Sequence, residues 1–207
     1  MNKGKFITFE GNDGCGKTTI SNRVYNQLLE DGYDVIFTRE PGGIDIAEQI
    51  REVILNPENT AMDARCEALL YAAARRQHLI EKVLPALADG KIVICDRFID
   101  SSLAYQGAAR GLGMDEIYQI NEFAIDGNMP YATILLRVDA ETGLKRIASR
   151  KDKDRLDVEG EKFHKLVAQG YDEVAKRYPQ RIHVIDATLD EDEVFKNTYM
   201  LVKELVE

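Results

Sequence analysis

The 207-residue chain has no tryptophan, five prolines, three histidines and three cysteines. Cys15, Cys66 and Cys95 are odd in number, and their spacing fits neither a disulfide framework nor a zinc motif. They read as reduced thiols, and no structural metal is implied. No Pro/Ser-rich linker, internal repeat or low-complexity tract is present. No apolar run approaches the ~20 residues needed to span a bilayer, so no membrane partner is expected. Met1 to Lys5 lead straight into a strand pattern without a signal-peptide apolar region, so a cytoplasmic location is expected. Basic residues are in deficit: 27 Lys+Arg against 36 Asp+Glu give a formal charge of −9. A long nucleic acid is therefore not an expected partner, because its binding relies on many Lys/Arg–phosphate contacts.

What remains is an ordinary hydrophobic fraction of 44%, enough for one well-buried α/β core with a small mobile insertion. Short β-rich apolar runs recur at Lys5 to Glu10, Asp34 to Thr38, Lys91 to Cys95, Ala132 to Val138 and Arg181 to Ile185. Helical periodicity fills Lys17 to Glu30, Asp45 to Leu55, Met62 to Ala88, Met114 to Ile125, Ala140 to Ser149, Glu161 to Arg177 and Asp190 to Val206. Such alternation implies a parallel sheet with helices on both faces. The charged segment Arg150 to Glu161 is either an independent moving part or a solvated loop.

The strongest local signal is GNDGCGKT at Gly11 to Thr18, a full GxxxxGK[ST] loop between the run Phe6 to Phe9 and a helix pattern starting near Lys17. Gly11, Gly14 and Gly16 allow a sharp turn that points successive N–H groups at a polyphosphate, with the helix N-terminus behind them. Asn12, Cys15 and Thr19 complete the segment; Lys17 is placed to reach the β/γ-phosphates and Thr18 to ligate Mg²⁺. Asp13 is the odd residue, since a carboxylate among phosphate oxygens is repelled unless it points out of the cradle. It then faces a second substrate's hydroxyl, a metal-bound water, or simply solvent.

Asp96-Arg97 follows the third apolar run, and ligands gather at the carboxyl ends of parallel strands. There an acid can hold Mg²⁺ and an arginine can grip a phosphate; a structural ion pair is the plainer reading. Ser102 and Gln106, at i and i+4 in a helix opened by Ser101, share a face able to read the edge of a base. Thr38 to Gly43, TREPGG, form a proline turn with a Gly-Gly pair that lets backbone approach a ligand. Tyr71 and Arg75 project together from a small-residue helix, which taken alone reads first as a core ring with a guanidinium at its rim and second as a ligand-facing pair.

Taken together, FEGNDGCGKTT, TREPGG, the Tyr71/Arg75 helix, DRFIDSSLAYQG and the segment Asp154-Arg155-Leu156-Asp157 closely resemble the thymidylate (dTMP) kinase family over essentially the whole chain. The resemblance implies a phosphate-loop nucleoside monophosphate kinase fold: a single domain over 1–207, a five-stranded parallel sheet flanked by helices, and a short lid at about 150–161. It implies ATP and dTMP as substrates, Mg²⁺ as cofactor, and a homodimer for which an apolar helix such as Leu69 to Ala88 could supply the surface. Asp13 then matches the acid near the deoxyribose 3′-hydroxyl and Tyr71 the ring stacked on thymine, where the family more often has Phe. Arg75 matches the arginine on the thymine edge, Ser102 and Gln106 the base-side contacts, and Tyr105 the ring beside the sugar where a 2′-hydroxyl would lie. Arg39, Arg51 and Arg97 match positions around the acceptor phosphate. Some members carry an arginine at the position of Gly14; this chain resembles those with the basic catalytic residues in the lid. That implies Arg150 and Arg155 on the transferring phosphoryl group and Arg146 at the lid's hinge or near the adenine.

The acceptor phosphate is a nucleophile at neutral pH, so no Ser–His or Cys–His device is needed, and His78, His164 and His183 are few and scattered. Three rivals stand beside this reading. Another nucleoside monophosphate or deoxynucleoside kinase differs only in acceptor. A GTPase switch or ATPase would need the loop, but no NKxD-type motif is present. A non-catalytic nucleotide binder is opposed by the intact Lys17, Asp96 and Arg97.

Overall fold

Strand β1, Phe6–Glu10, is buried along its whole length because helices cover both of its faces. Its side chains alternate as a strand requires: Phe6 belongs to one hydrophobic cluster, while Ile7 and Phe9 belong to the other. The same division runs through β3, Ile92–Asp96, with Val93 and Cys95 on the first side and Ile92 and Ile94 on the second. Strands β2, Val35–Arg39, β4, Ala132–Arg137, and β5, Ile182–Asp186, complete a parallel sheet of order β2-β3-β1-β4-β5. Thr8 and Thr133, both buried, pair their hydroxyls at 2.7 Å across β1 and β4, so this polar pair is satisfied inside the sheet.

The computed structural model describes residues 4–148, 154–156 and 159–207. The five strands lie within one residue of the expected runs. Four helices agree end to end with the periodicity: α1, Lys17–Glu30, α2, Asp45–Leu55, α6, Met114–Ile125, and α8, Glu161–Arg177. Helices α7, Ala140–Ala148, and α9, Glu191–Val206, also follow it, α9 starting one residue late because the Asp190 side chain caps it.

Two stretches depart from α geometry. The helix expected over Met62 to Ala88 begins at Ala64, capped by Asp63, and runs as α3, Ala64–His78, a π-helical segment Leu79–Val83, and α4, Leu84–Ala88. Pro85 has no N–H for the preceding turn, and the wider π turn accommodates it. Likewise α5, Ile99–Ser102, continues as a π-helical segment Leu103–Ala109. Ser102 and Gln106 are therefore not presented by a regular α-helix as the i, i+4 spacing assumed. Glu40-Pro41, at the end of β2, is a cis peptide.

Candidate active site

The loop from β1 to α1 enters the helix through Gly16, whose φ of 86° is left-handed, and no side chain caps α1. The first N–H groups of α1 thus remain directed at whatever lies in the loop. Gly14 also has positive φ, and a Cβ there would meet Gly143 O at 2.2 Å. The loop is backed by α7's backbone, which leaves no room for a side chain at Gly14. Lys17 is buried with Nζ 3.6 Å from Asp96 Oδ1, and Thr18 donates to Asp96 Oδ2 at 2.6 Å. Asp96 Oδ1 is buried and has no hydrogen-bond partner among the described residues. A buried carboxylate oxygen beside a threonine hydroxyl and a lysine suits a hard cation that keeps most of its ligands from phosphate and water. Burial pushes the Cys15 thiol up, which removes it as a nucleophile.

Arg97, the first residue past β3, has φ 71°, a conformation that costs a non-glycine residue energy. Its guanidinium is held from several directions. It donates to Asp13 Oδ1 at 2.5 Å, Ser101 Oγ at 3.1 Å, the Tyr171 hydroxyl at 3.1 Å, and Gly11 O and the Tyr105 hydroxyl at 3.3 Å. Tyr105 in turn donates to Asp13 Oδ2 at 2.5 Å. Burial works to raise the Asp13 carboxyl, but Arg97, Lys17 and the Tyr105 hydroxyl hold it below the ordinary range. Asp13 is thus turned away from the loop amides and onto Arg97.

Behind Arg97 lies Glu10, the last residue of β1, which the sequence reading did not single out. It accepts from Phe98 N at 2.7 Å, Ser101 N at 3.2 Å, Ser101 Oγ at 2.5 Å and the Tyr171 hydroxyl at 2.9 Å. Burial, with the negative charge of Asp100 added, pushes its carboxyl up to about 7. A proton bound more tightly in the folded chain stabilises it fully below the ordinary value of 4.5, and this contribution is lost as pH rises through about 7. Comparing denaturant unfolding at pH 5 and pH 8, wild type should lose roughly 2–4 kcal/mol more stability than Glu10→Gln. Equal losses in the two proteins would place the Glu10 titration elsewhere.

A cavity of about 330 Å³ opens beside this cluster. Asp13, Lys17, Thr18, Arg39, Arg51, Tyr71, Arg75, Asp96, Arg97, Ser102, Tyr105 and Gln106 all line it, and with Asp154 and Leu156 it gathers residues from six separate stretches of sequence. Arg39 and Arg51 both donate to Pro41 O at 3.0 Å, and Arg39 also forms a two-pronged pair with Glu48. Burial and the neighbouring Arg39 lower the guanidinium pKa of Arg51. Two cations held side by side on a cavity wall favour an anion between or beside them.

At the other end Tyr71 is half-buried, and Arg75 is 2% exposed. Arg75 Nε donates to Glu40 at 2.7 Å, Nη1 to Ser102 Oγ and Asn121, and Nη2 to Phe98 O at 2.9 Å. Among the described residues, four of its five N–H groups are therefore engaged by protein. Glu40 also accepts from or pairs with His78 Nδ1 at 2.9 Å, and His78 Nε2 meets Thr38 Oγ1 at 2.7 Å. Removing the guanidinium strands a buried carboxylate, so Arg75→Ala should cost about 3–5 kcal/mol in chemical denaturation; a loss under 1 kcal/mol would refute the buried pair.

The lid arginines divide. Arg150 lies outside the described residues. Arg155, expected at the transferring phosphoryl group, is 7% exposed and absent from the cavity wall, although its neighbours Asp154 and Leu156 are on it. Its guanidinium donates to Glu67 at 2.6 Å and to Ile54 O at 2.8 Å. A carboxylate buried in α3 captures it in this arrangement. Arg146 donates to Gly14 O at 3.2 Å and lines a second cleft beside the phosphate loop with Gly16, Thr19, Ala187 and Leu189. Ala187 and Leu189 carry no sequence signal for such a role, whereas Glu67 and Tyr171 could have been suspected only as polar groups inside otherwise apolar helix faces.

A glycine-rich loop between β1 and α1 and an arginine-lined cavity beside it, both at the carboxyl edge of one parallel sheet, are the arrangement of a phosphate-loop nucleoside monophosphate kinase. The comparisons narrow the class. The family model for thymidylate kinase matches residues 9–198. The thymidylate kinase of Geobacillus sp. is 57% identical over 207 residues, covering 99% of each chain, and that of Clostridium novyi is 57% identical over 205 residues, covering 98% of this chain and all of its own. The crystal structure of thymidylate kinase from Ehrlichia chaffeensis, 34% identical, superposes with a TM-score of 0.78 over 97% of this chain and 99% of its own. The chain belongs to the thymidylate kinase family.

Proposed function

We propose that this chain phosphorylates dTMP to dTDP with ATP as the donor, and that the cavity beside Arg97 is the dTMP site. One observation carries the residue assignment: Arg39, Arg51 and Arg97 converge on the same cavity as Lys17 and Thr18, so an acceptor phosphate and a donor triphosphate can meet there. A phosphate oxygen of dTMP attacks the γ-phosphorus, the bond to the bridging β,γ oxygen breaks, and ADP leaves with that oxygen's electron pair. The protein contributes position and charge, not a covalent intermediate.

In this reading the backbone from Gly11 to Thr19 and Lys17 hold the triphosphate, and the cleft with Arg146 takes the adenosine end. The orphaned Asp96 Oδ1 beside Thr18 fits Mg²⁺, which when bound would neutralise charge on the phosphates. Tyr71 stacks on the thymine, Ser102, Gln106 and Arg75 face its edge, and Tyr105 with Asp13 borders the deoxyribose. Arg155 is committed to Glu67, which favours Arg150 as the arginine that the lid, about 150–161, brings to the γ-phosphoryl group. The chain acts as one phosphate-loop kinase domain over 1–207. A cytoplasmic setting is supported by three unpaired cysteines, and a homodimer by the exposed apolar side chains of Leu69, Ile80 and Phe123; mass in solution tests the latter.

Calorimetric titration separates the acceptor site from its rivals. dTMP should bind without ATP, and thymidine, lacking the phosphate for three arginines, should bind at least about 100-fold more weakly. Equal affinities would overturn the arginine assignment.

A further inference from the structure

Glu67 sits in the first turn of α3, 1% exposed and outside the cavity wall, with no part in phosphoryl transfer. It nevertheless accepts from three side chains on two other segments: Gln106 Nε2 at 2.8 Å, Arg110 Nη2 at 3.1 Å and Arg155 Nη2 at 2.6 Å. Burial works to raise its carboxyl, but the donors Gln106, Arg155 and Arg110 hold it below the ordinary range, so it is a carboxylate throughout the neutral range.

An ionised carboxylate can only accept, so the end of the Gln106 side chain that faces it must be the NH₂ group. Gln106 lines the cavity and among the described residues makes no other side-chain hydrogen bond. Its planar amide then turns the carbonyl Oε1 away from Glu67, a residue outside the cavity wall. A glutamine without such a partner turns freely about its last torsion and offers a donor or an acceptor as the ligand demands. Arg155, at 2.6 Å, fixes the carboxylate in turn, whereas Arg110, at 3.1 Å from it, is paired more closely with Glu159 at 2.5 Å.

We infer that Glu67 is a positioning residue for base selection: it locks the Gln106 amide with its carbonyl toward the nucleotide, so the site takes a base whose ring edge carries an N–H donor and rejects one whose ring nitrogen is an acceptor. Thymine and uracil are of the first kind and cytosine of the second. The inference rests on the dTMP reading of the cavity. The same carboxylate anchors Arg155, so the segment after α7 and the base reader share one buried charge.

The test compares kcat/KM for dTMP and dCMP in wild type, Glu67→Gln, Glu67→Asp and Arg110→Met. Failure of wild type to use dTMP would defeat the functional reading itself and with it the inference. With wild type preferring dTMP, Glu67→Gln offers Gln106 an amide that can meet either of its orientations, and the dTMP/dCMP ratio should fall at least about 10-fold while KM for ATP is unchanged. Glu67→Asp keeps the charge for the arginines but withdraws it from Gln106, and should lower the ratio in the same direction; it decides the matter if Glu67→Gln does not fold. Arg110→Met leaves the Glu67–Gln106 bond in place and should keep the wild-type ratio. A folded Glu67 variant with undiminished selectivity, or an equal loss in Arg110→Met, would overturn the inference.

Discussion

Arg97→Met should lower kcat/KM for dTMP by roughly 10³-fold, the scale on which arginines contribute to phosphoryl transfer. The side chain stands beside the phosphate loop on the cavity wall, bonded to Asp13 on the loop side and to Tyr105, Ser101 and Tyr171 on the helix side. Those bonds hold a guanidinium whose backbone sits at φ 71°, a strain the surroundings over-determine. Loss of the cation also leaves the Asp13 carboxylate facing incoming phosphate without its counter-charge. Arg97→Lys should recover little, because one ammonium cannot reproduce a fork that bonds Asp13 and Tyr171 simultaneously. Initial rates at saturating ATP over a range of dTMP check this; a loss under tenfold in Arg97→Met would remove Arg97 from the acceptor site.

Asp96→Asn should raise the Mg²⁺ concentration needed for half-maximal rate by about 10–100-fold and lower kcat with it. Asp96 Oδ1 is a buried acceptor with no hydrogen-bond partner among the described residues, a group that a bound cation or water would satisfy. An asparagine keeps the Thr18 bond and the volume but removes the charge that Lys17 and a divalent cation share. Rates measured across a magnesium titration, with unfolding monitored separately, distinguish metal recruitment from lost stability. An unchanged magnesium midpoint would make Asp96 a structural partner of Lys17 alone.

The phosphate loop was legible because its chemistry is local: the turn, the lysine and the threonine occupy eight consecutive residues between a strand and a helix. Asp96-Arg97 was legible by position, since a charged pair after a buried run marks a strand's carboxyl end, where β3 stops. Arg39, Arg51, Tyr71, Arg75, Ser102, Tyr105 and Gln106, proposed to hold the acceptor, do share one cavity, but only the family pattern could unite them, because six segments separate in sequence contribute to it. Arg155 shows the opposite limit. Its sequence neighbourhood announces only a charged segment, a moving part or a solvated loop, while the buried Glu67 that receives it lies 88 residues away. Glu10 and Tyr171 were hidden for a related reason: a terminal strand acid and a helix tyrosine carry no periodic signal, and their meaning appears only when Ser101 and Arg97 are brought between them. The π-helical turn before Pro85 and the one containing Gln106 also escape a period of 3.6, which cannot register one extra residue per turn.

ADP release from Mg-ATP, with dTMP, dUMP, dCMP, dGMP, AMP and thymidine offered separately beside a no-acceptor control, tests the central claim most directly. Rapid turnover with dTMP, weak turnover with dUMP, nearly none with dCMP, and none with thymidine is the predicted result. The thymine methyl contributes roughly 1–3 kcal/mol, whereas a mismatched polar edge costs roughly 10⁴-fold. Preference for another monophosphate would contradict the dTMP assignment while leaving the transfer chemistry standing, and ADP release independent of any acceptor would contradict the kinase reading altogether.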